Sequence, residues 1–155
     1  MVEAMSSSVV KDILRQALVT VGRECVLTDV VQRMRDAGRG RALVIEPDGR
    51  LAGIFTQQDL LHRVPMDTAT WGDIPVEQCM TMRPMTVTGT TSLSTTLRLM
   101  REGRFRSLPV VDADGTPSGV VSIRDVLMHL TRNFPQEFLN LPPEPTSEAW
   151  RRWGG

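Results

Sequence analysis

Apolar and polar positions follow the same order twice along this chain. RALVIEPDGRLAGIF (41–55) and SLPVVDADGTPSGVV (107–121) each hold two β-rich apolar runs around an Asp-Gly pair, which is a hairpin pattern. Pro117 predicts that the second strand of its hairpin starts late or lies at an edge, because proline cannot donate to a ladder. TQQDLLHRV (56–64) and SIRDVLMHL (122–130) follow directly. Each opens with a hydroxyl side chain and an acid three residues later, the capping-box pattern of a helix start, where Glu or Gln is usual. Upstream of each hairpin, apolar residues recur at near-helical spacing, at Val30, Val31 and Met34 and at Leu97, Leu99 and Met100. Thr28 or Ser94 stands near the start of that helix. Further upstream, LVTV (18–21) and PMTV (84–87) predict brief strands, with Pro84 suited to an extended entrance. VVKDILRQ (9–16) and VEQCMTM (76–82) read as short amphipathic turns. The predicted unit is helix–strand–helix–strand–strand–helix, an α/β arrangement.

The two copies superpose as sequence. Shifted by 66 positions, residues 10–64 lie over 76–130 without a gap. Thr20-Val21 meets Thr86-Val87, Met34-Arg35 meets Met100-Arg101, Asp48-Gly49 meets Asp114-Gly115, and Gly53 and Asp59 meet Gly119 and Asp125. The predicted organisation is an N-terminal segment (1–9), a first unit (10–64), a connector (65–75), a second unit (76–130) and a tail (131–155). A unit of this size is marginal alone and is expected to bury its sheet face against its twin.

Composition narrows the function classes. The 155 residues are 41% hydrophobic and 23% charged, as in a globular protein with a core. Lys plus Arg and Asp plus Glu number 18 each, and this balance argues against non-specific binding of nucleic acid or anionic membrane. No apolar run approaches a membrane span, and MVEAMSSSVVKD lacks the basic start and apolar stretch of a signal peptide, so a cytoplasmic protein is expected. Cys25 and Cys79 stand apart from any metal-ligand cluster, and His62 and His129 do not superpose under the shift. No nucleophile elbow, Walker loop or metal-hydrolase spacing is present in the sequence, so an enzyme is not expected. The tail, with its Pro-rich run and W-R-R-W pair, reads as extended chain that covers an apolar surface of this chain or of a twin, docks on a partner, or is disordered.

The ordered pattern T-V … M-R … L-P-V-V-D-x-D-G … G-V-V-S-x-x-D resembles the CBS domain, and two in tandem resemble a CBS pair, or Bateman module. The resemblance covers residues 10–130, and a stand-alone CBS pair without a fused catalytic domain is expected. It implies a pseudo-twofold pair of units that binds adenosine-containing ligands, dimerises with a second copy, and regulates an unknown partner protein. No cofactor is required on this reading. AMP, ADP or ATP is favoured as regulatory ligand; S-adenosylmethionine, cationic at sulfur, and NAD are less favoured.

The resemblance also nominates residues. The hydroxyl-x-x-acid pairs Thr56/Asp59 and Ser122/Asp125 imply ligand contacts, since a carboxylate accepts from a ribose diol and a helix start favours an anion. Cations at the strand entrances, Arg41 before Ala42 and Arg106 with Ser107 before Leu108, suit phosphate, as does Arg124. Arg104, Arg101 and Arg39 read as solvated surface charges. Composite pockets are implied, pairing Asp125 with Thr20-Val21 and Asp59 with Thr86-Val87. The Asp125 cleft is expected to be better equipped, because the first copy has Leu43 for Pro109 and Gln57-Gln58 for Ile123-Arg124. The rival is a structural interaction module in which both pairs only cap helices. For assembly, an apolar face around Val30, Met34, Leu97 and Met100 is expected to be partly closed by a twofold partner.

Overall fold

A computed structural model describes residues 2–14 and 18–136 of the chain. The tail's W-R-R-W motif lies outside the described residues. Helix α1 (Val2–Ser7) and a 3-10 turn at Val10–Asp12 precede strand β1 (Thr20–Gly22), helix α2 (Leu27–Asp36), the hairpin of β2 (Arg41–Ile45) and β3 (Leu51–Thr56), and helix α3 (Gln57–Arg63). After 3-10 turns at Trp71–Asp73 and Val76–Gln78 come β4 (Thr81–Met82), helix α4 (Leu93–Gly103), the hairpin of β5 (Ser107–Val111) and β6 (Pro117–Ser122), and helix α5 (Ile123–Asn133).

The hairpins form where the Asp-Gly pairs require them. Gly49 and Gly115 take φ of 88° and 82°, a left-handed conformation that glycine adopts without a Cβ penalty. Asp48 Oδ1 accepts from the Arg50 N–H, and Asp112 Oδ1 accepts from the Asp114 and Thr116 N–H groups, so each turn is tied by its own acid. Pro117 does not delay its strand, and β6 lies at the edge of the two-stranded β5-β6 sheet, the other of the two expectations. Pro117 heads β6 at a register shift opposite Val111, a position that asks no ladder donor of it.

The first strands differ between copies, for a reason carried by one residue. β1 runs parallel to β2, and the Leu43 N–H donates to the Val19 carbonyl at 2.8 Å. Under the 66-residue shift Pro109 replaces Leu43 and has no N–H to give. Only the two bonds around Val87 remain, Val87 N–H to the Pro109 carbonyl and Val111 N–H to the Val87 carbonyl, so the expected strand at 84–87 contracts to one bridge.

Packing crosses the repeat boundary. Val10, from the first sequence copy, is wholly buried in a core with Val87, Leu93, Met100, Leu108, Val110, Val121, Val126 and Leu130. Val76, Cys79 and Met80, from the second, join Val21, Leu27, Val30, Met34, Val44 and Phe55. Each opening turn therefore completes the twin's core, and β4 extends the first hairpin to give the sheet order β1-β2-β3-β4. This fit needs glycine at 53: a Cβ there would lie 2.6 Å from Met80 Sδ and 2.8 Å from the Thr81 carbonyl oxygen.

The helix starts divide into two kinds. Ser92, not Ser94, caps α4 by accepting from the Thr95 N–H at 3.2 Å, while Val26 precedes α2 with no side-chain cap. The apolar face expected to await a partner is instead consumed inside the chain: Val30, Met34 and Met100 are buried and Leu97 packs on the second core. Among the described residues the exposed large apolar side chains include Leu61 on α3, with Leu127 and Ile123 on α5. Leu61 and Leu127 are equivalent under the shift.

Candidate ligand-binding clefts

Both hydroxyl-x-x-acid pairs form complete capping boxes. Thr56 heads α3: its Oγ accepts from the Asp59 N–H at 3.3 Å, and Asp59 Oδ2 accepts from the Thr56 N–H at 2.8 Å and its hydroxyl at 2.9 Å. Ser122 heads α5 in the same way, with Asp125 Oδ2 accepting from the Ser122 N–H at 3.0 Å and its hydroxyl at 2.6 Å. Aspartate replaces the usual Glu or Gln at this position and still closes the box. The hydroxyl proton is spent on the carboxylate. The capping box itself leaves a hydroxyl lone pair and does not engage the second carboxylate oxygen.

Those second oxygens are placed differently. Asp59, 8% exposed, holds Oδ1 at 3.3 Å from Arg63 Nε, and Arg63 also donates to the Met80 carbonyl at 2.9 Å. Asp125 is only partly buried and lies near Arg41. Burial pushes the Arg41 guanidinium below its usual pKa; the Asp125 charge opposes this and Arg39 adds to it.

Two cavities lie beside these caps. The smaller, about 260 Å³, is lined by Leu18, Val19, residues 38–41, Leu43, Val120, Ser122, Arg124 and Asp125. The larger, about 700 Å³, joins Ile54 and residues 56–59 to Arg83, Pro84, Met85 and residues 103–109, with Arg41, Arg63 and Thr81. The sets correspond under the 66-residue shift: Leu18-Val19 answers Pro84-Met85, and Ser122 and Asp125 answer Thr56 and Asp59. Each cavity thus joins the acid cap of one sequence copy to the strand entrance of the other, and Arg41 borders both.

The expected partners Thr20-Val21 and Thr86-Val87 line neither cavity. Val21 and Val87 are buried in the two cores, and the walls come from the residues just before them. Ala42 is likewise wholly buried, whereas Arg41, Arg106, Ser107, Leu108 and Arg124 do reach a cavity. Sequence reasoning missed Arg63, Arg83, Met85 and Phe105, and treated Arg39 and Arg104 as plain surface charges. The shift carried a signal for them, since Arg39 and Arg104 flank the same helix end in the two copies.

Compared with known protein families, residues 10–65 and 72–132 each match the CBS domain. The chain belongs to the CBS-domain family. Arabinose 5-phosphate isomerase KdsD of Pseudomonas aeruginosa is 32% identical over 101 residues, covering 65% of this chain and 31% of that enzyme. The chain therefore spans about a third of that relative's length. A CBS-domain protein of Agrobacterium tumefaciens has a solved structure that matches with a TM-score of 0.71 at 29% identity, over 79% of this chain and 98% of that one. CBSX2, solved in complex with AMP, matches with a TM-score of 0.69 at 28% identity, over 81% of this chain and 98% of that one. The α/β pair of CBS units is thereby shown for this chain as well. Among the described residues no helix is long and apolar enough to cross a membrane, and no group of His, Cys, Asp or Glu has metal-site geometry.

Proposed function

We propose that this CBS pair is a regulatory, non-catalytic module that binds an adenine nucleotide in its composite clefts and passes the change to a second copy or a partner protein. One observation carries the reading: each cleft brings a helix-start carboxylate against arginines supplied across the repeat. The carboxylate suits the ribose hydroxyls and the guanidiniums suit phosphate. The AMP complex of the similar CBSX2 supports the ligand class. AMP, ADP and ATP fit these charges better than cationic S-adenosylmethionine, and NAD ranks below them. The larger cleft is the primary site on this account, because about 700 Å³ lies within the ~300–1,000 Å³ of small-molecule sites and about 260 Å³ falls below it. This reverses the order expected from the Arg124-bearing motif. Thr56, Asp59, Arg41, Arg106, Ser107 and Leu108 serve the primary site, and Ser122, Arg124 and Asp125 the secondary one.

Titration calorimetry of ligand-free protein against AMP, ADP, ATP, S-adenosylmethionine and NAD tests the reading, with heat expected for the adenine nucleotides. A folded protein that gives no heat with any of them leaves the rival, a structural interaction module. The complete capping bonds of Asp59 and Asp125 favour that rival, since both acids already have a use without ligand. A homodimer covering Leu61, Ile123 and Leu127 is part of the proposal. Sedimentation at micromolar concentration is expected to give a dimer; a monomer refutes that part.

A further inference from the structure

The larger cleft contains two backbone oddities that the capping role does not explain. Arg83 and Arg104 take φ of 46° and 56°, and among the described residues they are the non-glycine residues in the left-handed region. That region is unfavourable for a residue with a Cβ.

The repeat supplies a control for Arg104. Its equivalent is Gly38, with φ of 61°, and both end the same helix in the same way. Arg39 N–H donates to the Met34 carbonyl and Phe105 N–H to the Met100 carbonyl, each at 2.8 Å. Glycine closes this helix end without strain in the first copy, so the cap has no need of an arginine side chain in the second. Arg83 and Arg104 both line the larger cleft and are absent from the lining of the smaller.

The surrounding charge points the same way. Among the described residues Asp59 is the sole acid lining the larger cleft, and it already pairs with Arg63. Among the described residues no ion pair involves Arg83, Arg104 or Arg106. Three guanidiniums thus border one large cavity without a carboxylate of their own. A single phosphate would have to share its three terminal oxygens among three planar forks, whereas a phosphate chain offers one group to each.

We propose that the larger cleft selects its nucleotide by the length of the phosphate chain, with Arg83 and Arg104 meeting the phosphates beyond the first. This rests on the nucleotide reading above and adds the ligand class: a nucleoside polyphosphate in preference to a monophosphate.

Calorimetry with ATP, AMP and inorganic tripolyphosphate in EDTA, on the parent protein and on Arg104→Gly and Arg83→Gly, tests it. The parent is expected to bind ATP at least about tenfold tighter than AMP, and tripolyphosphate is expected to compete with ATP. Each glycine variant is expected to lose about ten times more affinity for ATP than for AMP, the scale of one charge-assisted contact. Arg104→Gly is also expected to melt a few degrees higher as strain is relieved, which a purely structural arginine would not do. Equal affinity of the parent for ATP and AMP, or equal losses in the variants, overturns the inference and leaves the nucleotide reading standing. Tripolyphosphate binding without nucleotide binding supports the phosphate-chain site and refutes the nucleotide reading. No binding of any of the three refutes both.

Discussion

Asp59→Ala is expected to lower nucleotide affinity about ten- to a hundredfold, as the loss of a charge-assisted contact costs roughly 1.5–3 kcal/mol. Asp59 is 8% exposed and borders the larger cleft, and its Oδ1, paired with Arg63, is the oxygen proposed to accept from a ribose. The same change removes the acceptor for the Thr56 N–H and hydroxyl and leaves Arg63 without its partner. A loss of about 1–2 kcal/mol in folding stability is therefore expected alongside, in line with the removal of a helix cap. Calorimetry must be done where the variant remains folded, and Asp125→Ala is the comparison, with a smaller effect expected. If Asp125→Ala abolishes binding while Asp59→Ala does not, cavity size has misranked the clefts. If neither change affects binding, both acids serve as caps alone.

Val10→Asp is expected to destabilise the chain by roughly 3 kcal/mol or more, because it places a carboxylate without a partner in an apolar core. At about 2–4 °C per kcal/mol for a chain of this size, the melting temperature should fall by several degrees or more. The location of the damage is the sharper test. Val10 belongs to the first sequence copy but is wholly buried among Val87, Leu93, Met100 and Leu108 of the second. Amides of β5, β6, α4 and α5 should lose exchange protection before those of β2 and β3. Val10→Ala, a milder truncation, should show the same order if the aspartate variant does not fold. Protection lost first in β2 and β3 contradicts the exchange of opening turns between the cores.

Much of this was legible from periodicity, because the information was local. The Asp-Gly turns at 48–49 and 114–115 set both hairpins, and the hydroxyl-x-x-acid pairs start α3 and α5 where the pattern placed them. What sequence did not convey was tertiary. The shift aligned Val10 with Val76 but carried no sign that each packs in the other copy's core. The missing strand at 84–87 was written in Pro109, yet its cost is visible only once Leu43 is seen donating to Val19. Val30 and Met34 have the spacing of a face seeking a partner, and periodicity cannot say whether that partner is the same chain. At the clefts, the acids and Arg41, Arg106 and Arg124 were readable from the family resemblance. Arg83 was not, because what singles it out is backbone conformation, and Arg104 was signalled only by standing at the same helix end as Arg39.

Nucleotide is proposed to bind where the two sequence copies meet. Hydrogen exchange measured residue by residue, with and without the nucleotide that binds tightest, tests it most directly. Slowed exchange is expected at 56–59, at 83 and 85 and at 103–108, the walls of the larger cleft, with weaker effects at 38–41 and 122–125. Protection confined to the outer faces of α3 and α5, with 56–59 and 103–108 unchanged, would contradict it.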